Sequence, residues 1–230
     1  MRVAEMDWQM VEDWVRHDDR AVLPLGSTEQ HSGLSLMTDC ILAERVAVEA
    51  AAPLGIPVFP VIPFGLAPYY QAFPGSITLR VSTYCLVVAE VLDSLKRGGF
   101  RRILIVNGHG GNQPAATAAQ QWMMDNPDCR VRFHSWYNAP RVAAQVRATD
   151  PVAGHASWQE NFPWTRLTST PPDGDKAMVD TDRLRTLPPF EVRSLIEDGN
   201  YGGRTQRSDN EMHAIWAVAV EETRELMENW

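Results

Sequence analysis

The chain of 230 residues contains only three cysteines, Cys40, Cys85 and Cys129, and no CxxC pair. A disulfide framework and a thiolate zinc site are therefore disfavoured, because both need closely spaced cysteines. The sequence also has no apolar run of the roughly 20 residues that a membrane span requires. Acidic residues near the N-terminus interrupt any signal-peptide core, so we expect a cytoplasmic protein with free thiols.

An excess of basic residues is missing as well, since the net charge is −8 and the isoelectric point is about 5.2. An acidic surface disfavours nucleic acid and anionic membranes as partners. We expect a small molecule as the ligand instead. Hydrophobic residues make up 44% of the chain. This content and the chain length predict one domain over residues 1–230.

Apolar patterns alternate along the chain between strand-like and helix-like segments. Strands are predicted at 21–26, 101–108 and 129–136, and shorter extended segments at 56–65 and 77–82. Helices are predicted at 7–17, 40–52, 83–99, 113–125 and 210–229, whereas 166–207 is predicted to be irregular. The alternation predicts an α/β fold with a mostly parallel sheet covered by helices on both faces. Ligands of such sheets bind at the carboxyl ends of the strands, which places 27–31 and 107–112 on one rim.

The segment STEQHSGLSLMTDC at 27–40 follows the first predicted strand and carries three potential metal ligands. Glu29 and His31 are two residues apart, so an extended chain projects both to the same side. Asp39 lies at the start of the next predicted helix. The alternatives are a helix-capping role for Asp39 and a solvated loop for the other two residues.

The segment NGHGGN at 107–112 directly follows the strand core ILIV and holds His109 at the end of that strand. Its glycines allow a tight turn close to a ligand, and Asn107 and Asn112 can fix the loop through hydrogen bonds to the backbone. Gln113 replaces the third glycine of a dinucleotide fingerprint, and the Lys-Ser/Thr of a phosphate loop is absent. The alternative is a glycine turn with an incidental histidine.

The segment GHASWQENFPW at 154–164 places His155 and Glu160 among three aromatic residues, Trp158, Phe162 and Trp164. Aromatic rings with a few polar groups are typical of the wall of a small-molecule pocket. The alternative is a buried aromatic cluster in which His155 is a core residue.

Two histidines and three carboxylates suit two divalent metal ions. The ions contribute +4, the carboxylates −3 and a bridging hydroxide −1. Such sites generate a nucleophile at neutral pH and polarise the group under attack. Mixed nitrogen and oxygen ligands are typical of Zn²⁺ or Mn²⁺, and they also suit Fe²⁺.

Together these motifs resemble the creatininase family of metal-dependent amidohydrolases. GSTEQHSGLSLMTD, NGHGGN and HASWQE are similar to the three family motifs, and FPGSITL and GNYGG to two further segments, so the resemblance runs from about Leu23 to Gly203. It implies a three-layer αβα sandwich and a homo-oligomer, often a hexamer. It also implies two ligand sets that share one residue and one further site residue. These are Glu29, Asp39 and His109 for one ion, His31, Asp39 and Glu160 for the other, and His155 as a proton shuttle or a supporting residue.

Three features depart from the family pattern. Leu34 replaces a second histidine, the first motif is one residue shorter, and Gly111 stands where some members have a glutamate ligand. Leu34 is expected to remove a polar group from the mouth of the pocket.

ASWQENFPWTR is similar to the branch that opens the ring of 3-dehydro-scyllo-inosose, a keto-inositol of inositol catabolism. In that hypothesis Glu160 and His155 take part in catalysis. Trp158 and Trp164 cover the ring, and Gln30 or Asn107 binds its hydroxyls. The alternatives are an amidohydrolase acting on a creatinine-like lactam or a formamide, and a non-catalytic sugar-binding protein on the same fold.

Overall fold

The computed structural model describes residues 1–168 and 174–230, and a parallel sheet of three strands lies at its centre. The strands are β1 (Arg20–Leu25), β2 (Arg102–Asn107) and β3 (Arg130–Ser135), in the order β1-β2-β3. At their carboxyl ends Leu25 pairs with Asn107, and Asn107 pairs with Ser135. The extended segment predicted at 56–65 runs beside β1, with parallel bridges from Val58 to Val22 and from Ile62 to Leu25.

Eight α-helices are found in the described part of the chain. They are α1 (Trp8–Val15), α2 (Thr38–Ala51), α3 (Val81–Arg97), α4 (Pro114–Asp125), α5 (Pro140–Thr149), α6 (Thr181–Leu184), α7 (Pro189–Ile196) and α8 (Asp209–Glu228). The five predicted helices are all present, with ends that differ by a few residues. Helix α5 was not predicted.

The helices cover both faces of the sheet, as the alternation predicted. Leu104 and Val106 of β2 belong to the core that contains α2, α5 and α8, and Ile103 and Ile105 to the core that contains α3 and α4. Successive residues of a strand point to opposite faces, so the uninterrupted apolar run of β2 serves two cores at once. The fold is therefore the three-layer αβα sandwich that the resemblance implied.

A smaller third core lies beside the carboxyl ends of the strands. Ala67 and Tyr70 pack there against Leu184 of α6 and against Val192 and Ile196 of α7. The prediction that 166–207 is irregular was therefore wrong for α6, α7 and the ribbon of β4 (Asp175–Lys176) and β5 (Gly203–Arg204). Its short helices begin at Thr181 and at Pro189, too closely spaced for a clear period of 3.6 residues. The part at 169–173 lies outside the described residues.

The segment 77–82 forms no strand, because only Ile77 makes a bridge, to Thr28, and α3 begins at Val81. No helix among the described residues is long and apolar enough to cross a bilayer.

Gly108, just after β2, marks the closest approach between the sheet and α2. A Cβ atom at Gly108 would lie 2.5 Å from the carbonyl oxygen of Asp39 and 3.0 Å from Cβ of Ala43. We therefore expect Gly108→Ala to lower the free energy of unfolding by about 1–3 kcal/mol, the usual cost of overpacking. Urea unfolding measures the effect.

Gly98→Ala is the matched control, since the nearest atom to a Cβ there lies 3.4 Å away. Equal stability of the two variants would contradict the close approach.

Candidate metal centre

Four of the candidate ligands, Glu29, Asp39, His109 and Glu160, line a cavity of about 450 Å³ at the carboxyl edge of the sheet, and the fifth, His31, is fully buried beside them. The loop after β1 brings Glu29 and His31, the loop after β2 brings His109, and the first turn of α2 brings Asp39. A 3₁₀ turn at Trp158–Glu160 adds Glu160. The structure therefore brings together all five residues of the two ligand sets that the resemblance implied.

The two oxygens of Asp39 face two different histidines. Oδ1 lies 3.1 Å from Nε2 of His31, and Oδ2 lies 3.2 Å from Nδ1 of His109. The same His109 atom is 3.2 Å from Oε2 of Glu29, and the same His31 atom is 3.8 Å from Oε2 of Glu160. Within each set, one ligand atom per residue lies within 4.8 Å of the others. Three groups of ion-ligating residues meet this distance among the described residues; two of them share Asp39, and the third consists of Glu29, His31 and His155.

Asp39 does not cap helix α2, so that alternative is wrong. The helix begins at Thr38, and the preceding residue Met37 makes no side-chain capping hydrogen bond. Asp39 thus lies inside the first turn with its buried carboxylate turned toward the histidines. The shorter first motif does not move Asp39 out of reach of His31.

Backbone carbonyl groups fix which ring nitrogen of each histidine faces the carboxylates. His109 donates its Nε2 hydrogen to the carbonyl oxygen of Leu66, at 2.9 Å, and His31 donates its Nδ1 hydrogen to that of Glu29, at 3.2 Å. The lone pairs of Nδ1 in His109 and Nε2 in His31 then point into the site. Histidine ligands of metals are generally oriented in this way.

The carboxylates are held but not fully satisfied. Ser27 donates its hydroxyl hydrogen to Oε2 of Glu29, and the backbone N–H of Ala156 donates to Oε2 of Glu160, both at 2.6 Å. Among the described residues, Oε1 of Glu29 is buried without any hydrogen-bond partner, and Oδ2 of Asp39 has only the ion-pair contact with His109. An unpaired buried carboxylate oxygen is costly, and a bound cation would remove that cost. These residues therefore fit divalent ions.

Protons compensate the same negative charge when no cation is present. Burial disfavours a charged His31, but the hydrogen bond to Asp39 and the combined attraction of Asp39, Glu160 and Glu29 outweigh it and raise the pKa of His31 to about 10. The pKa of His109 is likewise raised against its burial, chiefly by Glu29. Burial raises the pKa of Glu160 to about 7, whereas that of Asp39 lies below its usual range despite burial, because of His31. The site thus attracts positive charge.

His155 borders the cavity beside the ligands rather than lying in the core. Its ring stacks on Tyr70, with centroids 4.9 Å apart, and its Nε2 atom is 3.0 Å from the carbonyl oxygen of Gln30. Its Nδ1 atom is 4.0 Å from Oε1 of Glu29. Burial and the neighbouring His31 hold the pKa of His155 well below its usual value. The ring is therefore neutral at neutral pH.

Trp158 and Trp164 are not part of the cavity wall, so the structure contradicts their predicted role. Trp158 is fully buried and donates its indole N–H to the carbonyl oxygen of Val152. Trp164 packs against Phe162 and Trp216. For these two residues the alternative of a buried aromatic cluster is correct, because the turn that directs Glu160 into the site directs Trp158 into the core.

Gln30 and Asn107 support the loops and do not line the cavity. Asn107 donates to the carbonyl oxygen of His109 and accepts from the backbone N–H of the same residue. Gln30 donates to the carbonyl oxygen of Gly199 and accepts from the backbone N–H of Ser32. Their predicted role in binding hydroxyl groups is therefore replaced by a structural one.

The structure shows the surroundings of two residues that depart from the family pattern, Gly111 and Leu34. A Cβ atom at Gly111 would lie 2.0 Å from the carbonyl oxygen of Leu66, so this backbone has no room for a glutamate there. Glu160 is thus the carboxylate available to His31 and Asp39. Leu34 is buried and bridges to Arg166 instead of lying at the mouth, which contradicts its expected position.

Tyrosines that the sequence did not single out form much of the cavity wall. The wall includes Tyr69, Tyr70, Tyr137, Tyr201, Asn138, Thr181 and Arg185. Tyr201 lies within the GNYGG segment and Tyr70 lies three residues before FPGSITL, and these two resemblances were the only available signal. Their positions depend on the third core, which no local pattern predicts.

The whole chain resembles one family of known proteins. A family model described as creatininase, creatinine amidohydrolase, matches residues 4–227. The mycofactocin precursor peptide peptidase of Mycobacterium tuberculosis is 37% identical over 232 residues, which cover 91% of this chain and 84% of that protein. The creatinine amidohydrolase of Pseudomonas putida is 30% identical over 212 residues, or 83% of this chain and 80% of that protein.

The likeness to a keto-inositol enzyme is more limited. The 3-dehydro-scyllo-inosose hydrolase of Thermotoga maritima is 29% identical over 108 residues, or 46% of this chain and 34% of that protein.

Among solved structures, a mutant creatininase of the Zn–Zn type superposes with a TM-score of 0.83 at 19% identity, over 99% of this chain and 96% of that one. This last likeness shows the fold.

The raised pKa values of two candidate ligands predict how zinc affinity depends on pH. His31, with a pKa of about 10, and Glu160, with a pKa of about 7, must release their protons before they bind an ion. From about pH 6 to about pH 8 the apparent affinity for Zn²⁺ should therefore rise, by up to about tenfold per unit for each proton released.

Calorimetry in two buffers of different ionisation enthalpy counts the protons released. His134→Gln is the control, because burial lowers the pKa of His134 to about 4 and its ring bonds to Thr223 instead. Zinc binding without proton release would contradict the arrangement.

Proposed function

The chain belongs to the creatininase family and is a hydrolase of that family; from this premise we propose that it uses two divalent metal ions to hydrolyse an amide bond of a peptide. The observation that carries the proposal is the pair of clusters that share the carboxylate of Asp39. Glu29, Asp39 and His109 would hold one ion, and His31, Asp39 and Glu160 the other.

Zn²⁺ or Mn²⁺ is the preferred occupant. Related creatininase structures are described as a Zn–Zn type and as a Mn form. Mixed nitrogen and oxygen ligands fit both ions, and they also suit Fe²⁺. Bound in pairs, such ions supply a water molecule that ionises near neutral pH and polarise the carbonyl group under attack.

The protein itself must bind the substrate and move protons. Amide hydrolysis needs a base that accepts the proton of water and an acid that protonates the leaving nitrogen. Glu160 lines the cavity beside His31, so its carboxylate would accept this proton as well as help to hold the ion. His155 borders the cavity beside Glu29 and is placed to pass that proton on to the leaving nitrogen.

An amide is favoured over a keto-inositol ring for two reasons. Two relatives that match most of the chain, the peptidase and the creatinine amidohydrolase, act by their names on amide bonds. The keto-inositol hypothesis, which remains the second candidate, relied on Trp158 and Trp164 covering a sugar ring, and neither lines the cavity. A peptide is placed before a creatinine-like lactam because the peptidase is the more similar in sequence.

A non-catalytic sugar-binding protein is the least supported alternative, because all five candidate ligands are retained in a geometry suited to ions. A homo-oligomer, a hexamer by family resemblance, stays a prediction.

The shared carboxylate predicts how metal content responds to mutation. We expect about two ions per chain in the wild type and loss of both in Asp39→Asn, because this residue contributes to both clusters. Glu160→Gln should retain one ion. Elemental analysis after purification without chelator measures this, with Glu44→Gln on the outer surface of α2 as a control. One ion in the wild type would mean a mononuclear centre without Glu160.

The substrate proposal is tested with a panel of three compounds and zinc- or manganese-loaded protein. We expect a mycofactocin precursor peptide to be cleaved, with a new amine and two fragments seen by mass spectrometry. Creatinine and 3-dehydro-scyllo-inosose should react at least about tenfold more slowly, a difference of roughly 1.4 kcal/mol in activation free energy. Faster opening of the inosose ring would overturn the amide proposal in favour of the second candidate.

A further inference from the structure

Two tyrosines meet on the cavity wall through their hydroxyl groups. The hydroxyl of Tyr70 donates a hydrogen bond to the hydroxyl oxygen of Tyr201, at 2.6 Å. The two residues are 131 positions apart in sequence and are joined by the third core, to which both rings belong. Both also line the cavity that contains Glu29, Asp39 and His109.

Both rings pack against His155, next to the metal ligands. The ring of Tyr70 is stacked on His155 with an interplanar angle of 14°, and the centroid of Tyr201 lies 5.0 Å from that of His155. His155 in turn lies 4.5 Å from His31, between ring centroids. In addition, the backbone N–H of Tyr201 donates to the carbonyl oxygen of His155, at 3.0 Å. The hydroxyl pair is therefore fixed from several sides.

One hydroxyl hydrogen of the pair is left over. Each tyrosine hydroxyl carries one hydrogen, and the bond between the two uses only one of them. Because Tyr70 donates, the hydrogen of Tyr201 remains, and the Tyr201 hydroxyl makes no further hydrogen bond among the described residues. Tyr201 lies on the cavity wall, so this hydrogen is available to a group in the cavity.

The hydroxyls stay protonated at neutral pH and therefore act as donors. Burial raises the pKa of Tyr201 to about 12 and that of Tyr70 well above its usual value. A fixed hydroxyl donor beside a site of acyl chemistry is suited to the carbonyl oxygen, which becomes negatively charged when the carbonyl carbon is attacked.

We propose that the hydroxyl of Tyr201 donates a hydrogen bond to the carbonyl oxygen of the substrate, and that Tyr70 is the positioning residue that holds it in place. This inference rests on the proposed amide hydrolysis. It assigns the third core a part in substrate recognition, since that core brings the two hydroxyls together.

Tyrosine-to-phenylalanine variants test the proposal, since each removes a hydroxyl and keeps the ring. Tyr201→Phe should lower kcat on the cleaved peptide by about 10²-fold, as expected for loss of one donor to a developing oxyanion, with a much smaller change in KM. Tyr70→Phe should have a weaker effect, and the double variant should lose at least as much activity as Tyr201→Phe. Zinc content should remain at the wild-type level in all three.

A second measurement does not depend on turnover. Calorimetry of zinc-loaded protein with acetohydroxamate, which presents a carbonyl oxygen to the site, should show about tenfold weaker binding to Tyr201→Phe, the usual worth of one hydrogen bond. Tyr84→Phe is the matched control, because the hydroxyl of Tyr84 is buried in α3 without a hydrogen-bond partner.

The outcomes separate the two proposals. If the wild type cleaves no compound of the panel, the proposed function fails, and the acetohydroxamate affinities still decide whether the hydroxyl pair is a donor. Unchanged affinity and unchanged kcat in the double variant, with zinc retained, would overturn the role of the pair. Failure of acetohydroxamate to bind the wild type would overturn it as well.

Discussion

The buried carboxylate of Asp39, shared between His31 and His109, is the constraint on which the rest of the site depends. Helix α2 begins at Thr38, the residue before Asp39, and this start orients the two carboxylate oxygens. The close approach of α2 to Gly108 holds the helix in that position. The parallel pairing of β1 and β2 then fixes the distance between the two histidine-bearing loops. A shift in any of these elements would separate the two clusters.

The ligands could be predicted because they lie in short motifs that directly follow strongly apolar strands. The run ILIV identifies β2 without ambiguity, and a parallel sheet brings the ends of β1 and β2 to the same edge. Glu29, His31 and His109 are therefore close in space for a reason visible in the sequence. Glu160 was harder to predict as a ligand, because some family members have a glutamate ligand at the position of Gly111 instead. The structure explains the difference, since Gly111 has no room for a side chain.

The wall of the cavity could not be predicted, because it depends on contacts between distant segments. Tyr70 and Tyr201 meet only because the third core packs α6 and α7 against the residues around Ala67. For Trp158 and Trp164 composition was misleading, since an aromatic residue beside a catalytic group can point either into a pocket or into the core. The direction is set by a 3₁₀ turn whose geometry the sequence does not reveal.

The candidate metal ligands and the tyrosine wall of the cavity thus come from different parts of the fold. The ligands come mainly from the central sheet and α2, which also carry the two large cores, so changes there alter stability as well as chemistry. The tyrosine wall comes from a peripheral core of short helices, where substitutions disturb fewer buried contacts. A fold arranged in this way can retain its metal chemistry while its substrate changes, which is the reason that the tyrosines, rather than the ligands, should distinguish a peptide from a small cyclic substrate.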